Sequence, residues 1–232
     1  MFAIEAQPTL DARSSFQHDG FISMPGFVRQ SDAEQIHGCL RHHVPWGLAY
    51  RLDGQPQTAL GVDSIEVLPE PLRMRLLEQI DEPFQFVYNT YMMVTAYLQQ
   101  RDPDLLLHRV LEWLNHPHTL DWFRVSTGVP EIRKVNAQAT RYLPGHFLKL
   151  HNDHNASEGR RFAYVFSVTR DWCPDWGGLL HFTDDQGCIS RTLVPGFNTL
   201  NLFQVPRDPF VSLVAPYAQR PRLAITGWLL DK

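Results

Sequence analysis

His151 and Asp153 are the residues whose types and spacing are best suited to chemistry in this chain. They close the stretch Tyr142-Leu-Pro-Gly-His-Phe-Leu-Lys-Leu-His151-Asn-Asp153, which holds the sole HxD or HxE of the sequence. The stretch has strand character, and two residues apart on a strand share a face. An imidazole and a carboxylate presented together supply two of the three ligands of a non-haem Fe(II) facial triad. A chain this rich in His and Asp should show about one HxD by chance. The pair therefore draws its weight from position, at the head of a strand-rich half that ends in Arg222-Leu-Ala-Ile-Thr-Gly-Trp228.

The elements that must hold this pair come in two kinds. Gly20 to Phe27 reads as a short strand and a turn at Pro25-Gly26. Ser31-Asp-Ala-Glu34 has the capping-box form and opens a helix with Ala33, Ile36, Cys39 and Leu40 on one side. That helix runs out at Pro45, with His42 and His43 as exposed residues near its negative end. Residues 47–68 are polar and predict irregular chain or a short hairpin. From Pro69 to about His116 the apolar period is helical, in three stripes. The first is Leu72, Leu76, Leu77 and Ile80; the second Phe84, Phe86, Val87, Tyr91 and Val94; the third Leu105, Leu106, Val110, Leu111 and Leu114.

Past residue 130 the period becomes two. Eight strands are expected, at 132–142, 146–152, 161–169, 178–184, 187–193, 197–204, 209–216 and 222–230, separated by Gly, Pro and Asn clusters. Short strands at this spacing without intervening helices predict a two-sheet jelly roll. The expected fold is mainly β, α+β overall, with N-terminal helices packed on one sheet. The expected organisation is a single domain over 1–232, in which 1–129 form a strand and helical layer and 130–232 a jelly-roll core carrying the site.

Composition narrows the function classes. Of 232 residues 44% are hydrophobic and 20% charged, as in an ordinary globular protein, and the formal charge of −4 gives no basic field for nucleic acid or anionic membrane. No apolar run approaches a membrane span, and the first residues lack the form of a signal peptide. Cys39, Cys173 and Cys188 make neither a disulfide framework nor a zinc motif, so free thiols and a cytoplasmic setting are expected.

The second half resembles the prolyl-4-hydroxylase-type branch of the Fe(II)/2-oxoglutarate-dependent dioxygenases. Six segments stand in the family's order: Ala137 to Leu148, His151-x-Asp153, Arg160 to Trp172, Gly177 to Phe182, Pro195 to Phe203, and Arg222 to Trp228. The resemblance implies a double-stranded β-helix with Fe(II) held by His151 and Asp153. It implies 2-oxoglutarate as co-substrate, its distal carboxylate on Arg222 and Tyr142 with Thr226 as a further contact, and it admits ascorbate as a reductant. Catalysis would rest on His151, Asp153 and Arg222. It also implies a hydroxylase acting on a prolyl residue of a protein or on a related amino acid.

One position departs from the pattern. The family's second histidine ligand falls where this chain reads Pro209-Phe-Val-Ser-Leu-Val214, so the third ligand is missing at Pro209. His181 should face away, between Leu180 and Phe182. Asp208, one residue off, reaches the site only through a bulge. Three readings stay open: an active hydroxylase, a degenerate jelly roll that keeps the pocket as a binding or regulatory protein, and a substitution at Pro209 in an active parent. Substrate and oligomeric state are not legible.

Overall fold

The computed structural model describes residues 2–7, 16, 18–62, 64–78 and 84–232. Strand β1 (Phe21–Pro25) leads into helix α1 (Gln30–His42), then the hairpin β2 (Gly47–Leu52) and β3 (Gln55–Leu60). Helix α2 (Glu70–Glu78) and strand β4 (Phe86–Tyr91) follow, then helices α3 (Met93–Leu98), α4 (Leu106–Leu114) and α5 (Pro117–Thr127). Strands β5 (Lys134–Val135), β6 (Gln138–Tyr142), β7 (Phe147–Leu148), β8 (Arg160–Ser167), β9 (Leu180–Thr183), β10 (Ile189–Leu193), β11 (Thr199–Gln204), β12 (Pro209–Val211) and β13 (Arg222–Leu230) complete the order.

The strands form a curled antiparallel half-barrel in the order β1-β11-β8-β13-β6-β4-β7-β12-β9-β10. Strand β4 turns the corner, pairing with β6 through Asn89 to Tyr91 and with β7 through Phe86 and Val87. At the open side Phe21 of β1 meets Phe182 of β9 with ring centroids 5.9 Å apart. The mainly β, jelly-roll architecture expected from the strand pattern is the one observed.

Strand alternation divides the interior in two. On β13, Leu223, Ile225 and Leu229 join Ile36, Leu40, Leu107, Val110 and Phe123 in a core between sheet and helices. Ala224 of the same strand faces the other way, among Tyr142, Val165, Phe182, Phe203 and Val211 inside the curl. The helical layer thus holds the larger wall flat from behind, and truncating one of its fully buried rings such as Phe123 to Ala should cost about 3–5 kcal/mol. The break between β5 and β6 has a local cause. Asn136 donates its N–H to the Trp228 carbonyl at 2.9 Å, and its own carbonyl would lie 2.0 Å from a Cβ at Gly227, so only glycine fits there.

Several expectations need correcting. The stripe Phe84 to Val94, read as helix, is mostly strand β4, five of whose six residues are buried. A strand covered on both faces has no period-two signature, and its Phe, Val, Thr and Tyr content was the better guide. The capping box at Ser31 does not form: α1 starts two residues earlier, with Arg29 as an N-cap that makes no side-chain cap bond. Asp32 instead accepts from the Ala3 N–H at 2.9 Å and from Arg29 Nε at 3.0 Å. Helix α5 was not anticipated, although Pro117 at its first turn and Gly128 at its left-handed cap (φ 72°) are the standard signals. Residues 47–60 take the hairpin alternative. Strands expected at 146–152 and 209–216 shorten to Phe147–Leu148 and Pro209–Val211. Ile80, expected on the first helical stripe, lies outside the described residues.

Candidate active site

Arg222 opens β13 directly opposite Tyr142, the last residue of β6. Both are buried, and the guanidinium carbon lies 4.8 Å from the phenol ring centroid. Tyr142 is stacked in turn on Tyr88 of β4, at 5.2 Å and 15°. Burial pushes the Tyr142 phenol well above its usual range and the Tyr88 phenol up to about 12, so both stay neutral near pH 7. Burial also pulls the Arg222 value down, against the phenol beside it. Arg222 Nε is buried with no hydrogen-bond partner, and no carboxylate among the described residues figures in its surroundings. A buried cation without an anion is costly unless a ligand supplies one. Two and three steps of period two along β13 bring Thr226 and Trp228 to the same cavity wall, and the Trp228 Nε1 is a second buried donor without a partner.

His151 and Asp153 line the same cavity. They were expected on a strand and are found in the loop beyond β7, which ends at Leu148. Tertiary hydrogen bonds replace the strand ladder there: the His151 N–H donates to the Pro209 carbonyl at 3.2 Å. His151 Nδ1 lies 3.0 Å from the Lys149 carbonyl, which can only accept, so Nδ1 carries the proton and Nε2 is left to face Asp153 Oδ1 at 3.5 Å. Burial alone would lower the His151 pKa, but the hydrogen bond and charge of Asp153 outweigh it and hold the imidazole above its ordinary value. The Phe84 ring covers the imidazole at 5.3 Å. Arg160 closes the adjoining wall, its Nη1 donating to the Asp153 carbonyl at 3.3 Å and its guanidinium carbon 3.6 Å from the Trp228 ring centroid.

Pro209 lines the cavity at the start of β12 and offers no donor atom. Asp208 is exposed and accepts from Asn152 Nδ2 at 2.7 Å, so a bulge that would turn it inward is not present. His181 points out of the cavity, between Thr192 Oγ1 at 2.9 Å and Ser212 Oγ at 3.2 Å, with its ring stacked on Phe210 at 4.6 Å. Among the described residues no three His, Cys, Asp or Glu side chains cluster as a metal site.

The cavity measures about 450 Å³. Two polar pairs line it, Arg222 with Tyr142 and His151 with Asp153, together with Gln138, Thr140 and Thr226, and Phe86, Leu148, Leu180, Phe203 and Val211 supply apolar lining. The imidazole and carboxylate suit Fe(II) in type, and Nε2 and Oδ1 are neighbours with the right tautomer, so the residues fit two corners of a metal site and no third. Sequence reasoning did not single out Trp228, Gln138, Arg160 or Phe84. The first was within reach, because period two from Arg222 passes through it.

A curled antiparallel sheet encloses a buried arginine and a His–Asp pair, and comparison with known proteins shows what this arrangement is similar to. Residues 137–230 match the family described as the 2OG-Fe(II) oxygenase superfamily. Prolyl 3-hydroxylase OGFOD1 of Xenopus laevis is 30% identical over 113 residues, 46% of this chain. That match takes in 22% of the relative, so this chain spans only part of the length of the curated protein it matches. An oxidoreductase of the 2OG-Fe(II) oxygenase family from Burkholderia pseudomallei superimposes with a TM-score of 0.62 at 13% identity, over 99% of this chain and 93% of that one. A Pseudomonas putida prolyl-4-hydroxylase gives 0.58 at 16%, over 98% and 94%. A Trichoplax adhaerens prolyl hydroxylase, solved with a hypoxia inducible factor oxygen degradation domain peptide, gives 0.59 at 14%, over 95% and 87%. At these identities the solved structures speak to the fold. The prolyl-hydroxylase-type resemblance read from the sequence is borne out as a likeness: residues 137–230 match the 2OG-Fe(II) oxygenase superfamily, and the curated relative is a prolyl 3-hydroxylase. No helix among the described residues is long and apolar enough to cross a membrane.

Proposed function

We propose that this chain is a 2-oxoglutarate-dependent oxygenase that hydroxylates a prolyl residue or a related amino-acid substrate, with a metal site built from His151 and Asp153 alone. The observation that carries the reading is Arg222: a buried guanidinium with an unsatisfied Nε, faced by a neutral phenol, on the wall of the cavity. Its planar fork matches a carboxylate. Tyr142 adds a phenolic donor, and Thr226 lines the same wall. In the same cavity His151 Nε2 and Asp153 would hold Fe(II), which when bound with 2-oxoglutarate and O₂ supplies the oxidising power for hydroxylation. The chain's own part is to fix the two ends of the co-substrate, keep the His151 lone pair aimed inward through the Lys149 carbonyl, and exclude water with the apolar lining. Ascorbate would serve as reductant. A prolyl substrate is supported by the names of the curated relative and of two of the solved structures.

Pro209 supports a second reading, in which the pocket binds a dicarboxylate and serves a binding or regulatory role. The two are separated by anaerobic titration of purified protein with Fe(II), with and without 2-oxoglutarate, alongside calorimetry of 2-oxoglutarate alone. Iron uptake that depends on the co-substrate, followed by its decarboxylation in air, supports the oxygenase. Binding of 2-oxoglutarate with no iron uptake leaves the binding protein, and no binding of either defeats both.

A further inference from the structure

The loop bearing His151 and Asp153 is held to β12 without help from a shared ligand. In a three-ligand site the metal itself would join this loop to the strand that carries the third donor, and Pro209 removes that join. Asn152, the residue between the two donors, uses both ends of its side chain instead. Its Oδ1 accepts the His154 N–H at 2.8 Å, which folds the loop back on itself, and its Nδ2 donates to Asp208 Oδ1 at 2.7 Å. One residue further on, the Pro209 carbonyl takes the His151 N–H at 3.2 Å. Asp208 is itself fixed: its carbonyl accepts from the Thr183 N–H at 3.3 Å, and the proline that follows restricts its backbone to extended forms.

We infer that Asp208 acts as a positioning residue, tying the His151–Asp153 loop to β12 through Asn152 in place of the cross-link that a third ligand would give. This rests on the reading of His151 and Asp153 as the metal donors. It assigns Asp208 a role other than the direct ligation that its neighbourhood to Pro209 suggests. The hydrogen bond is at the surface, where its worth to global stability is small; its effect falls on where two donor atoms sit, and groups that orient metal ligands commonly govern affinity by about 10–100-fold.

The test is titration of the full chain with Co(II) in the presence of 2-oxoglutarate, for wild type, Asp208→Ala, Asn152→Ala, the double variant and Asp208→Asn. Asp208→Ala and Asn152→Ala are each expected to weaken Co(II) binding by about 10-fold or more. The double variant should be no weaker than the singles, because one link is lost in each case. Asp208→Asn keeps an acceptor for Asn152 and should stay within about threefold of wild type, with an unchanged cobalt absorption spectrum at saturation. Wild-type affinity in Asp208→Ala would overturn the inference. So would Asp208→Asn binding as poorly as Asp208→Ala: with an altered spectrum Asp208 is a ligand, and with the wild-type spectrum its charge matters and its hydrogen bond does not. A wild type that takes up no Co(II) sinks the metal reading and this inference with it, whereas a loaded wild type with indifferent variants sinks this inference alone.

Discussion

The two ends of the cavity are built in opposite ways. Arg222 and Tyr142 are ladder partners on adjacent central strands, backed by the helical layer, and both are buried. His151 and Asp153 sit on a loop beyond the two-residue strand β7, held by a few separate hydrogen bonds, from His151 to the Lys149 and Pro209 carbonyls and from Arg160 to the Asp153 carbonyl. On the proposed reading the carboxylate end is complete and carries an unmet demand, the partnerless Arg222 Nε. The metal end is short of a donor. A sheet fixes side chains through many backbone bonds at once, so a site on it survives local change; a loop-borne site depends on each bond and on its ligand.

The turn that joins the two ends is the first place to break this arrangement. His146 lies in it, fully buried, with Nδ1 accepting the Leu143 N–H at 3.1 Å. Burial drives its pKa down to about 4 from the ordinary 6.5. The folded state thus needs the neutral ring, and the stability this represents is complete above pH 6.5 and lost as pH falls towards 4. The loss should reach about 3 kcal/mol. Denaturant unfolding of wild type and His146→Asn at pH 7 and pH 4.5 checks it; equal pH dependence in the two would show that His146 is not the sensitive group.

At the carboxylate end, Arg222→Met should weaken 2-oxoglutarate binding by about 1.5–3 kcal/mol in calorimetry. The same change should leave the ligand-free protein as stable or more so, because it removes a buried charge whose Nε has no hydrogen-bond partner and which is faced only by a neutral phenol. A variant that binds normally would place the carboxylate elsewhere. At the metal end, Pro209→His should raise Fe(II) affinity about 10- to 100-fold under anaerobic conditions. If wild type already holds one iron tightly and the variant holds it no better, the two ends are not as unequal as the structure suggests.

Smaller effects refine the contrast. Metal must displace the His151 proton, which Asp153 holds above the ordinary imidazole value, so apparent affinity should fall as pH drops through that raised value and level off above it. A flat profile between pH 6 and 8 would remove His151 from the ligand set. Tyr142→Phe should cost about 0.5–1.5 kcal/mol in 2-oxoglutarate binding, the worth of one neutral hydrogen bond.

Much of this was legible in residue order. Period-two alternation placed β8, β9, β11 and β13 closely, and HxD, Arg222 and the misfit at Pro209 stood out by type. The failures have physical causes. Strand β4 is buried on both faces and so lost its alternation. The capping-box residues at Ser31 found other partners, because Asp32 is claimed by Ala3 and Arg29.

The sequence by itself determined the alternation of β13, which turns Leu223 and Ile225 to the helices and Arg222 and Thr226 to the cavity, because side-chain direction on a strand is a local property of the backbone. It also determined that Pro209 brings no donor. Only the tertiary structure decided that Arg222 is buried with no carboxylate beside it among the described residues, that Asp208 is held outward by Asn152, and that His151 keeps its Nε2 towards Asp153. The first two depend on groups far apart in the chain, Tyr142 with Arg222 and Asn152 with Asp208, 56 residues apart, brought together by folding. Spacing along a chain cannot report which of two polar groups will reach the other first.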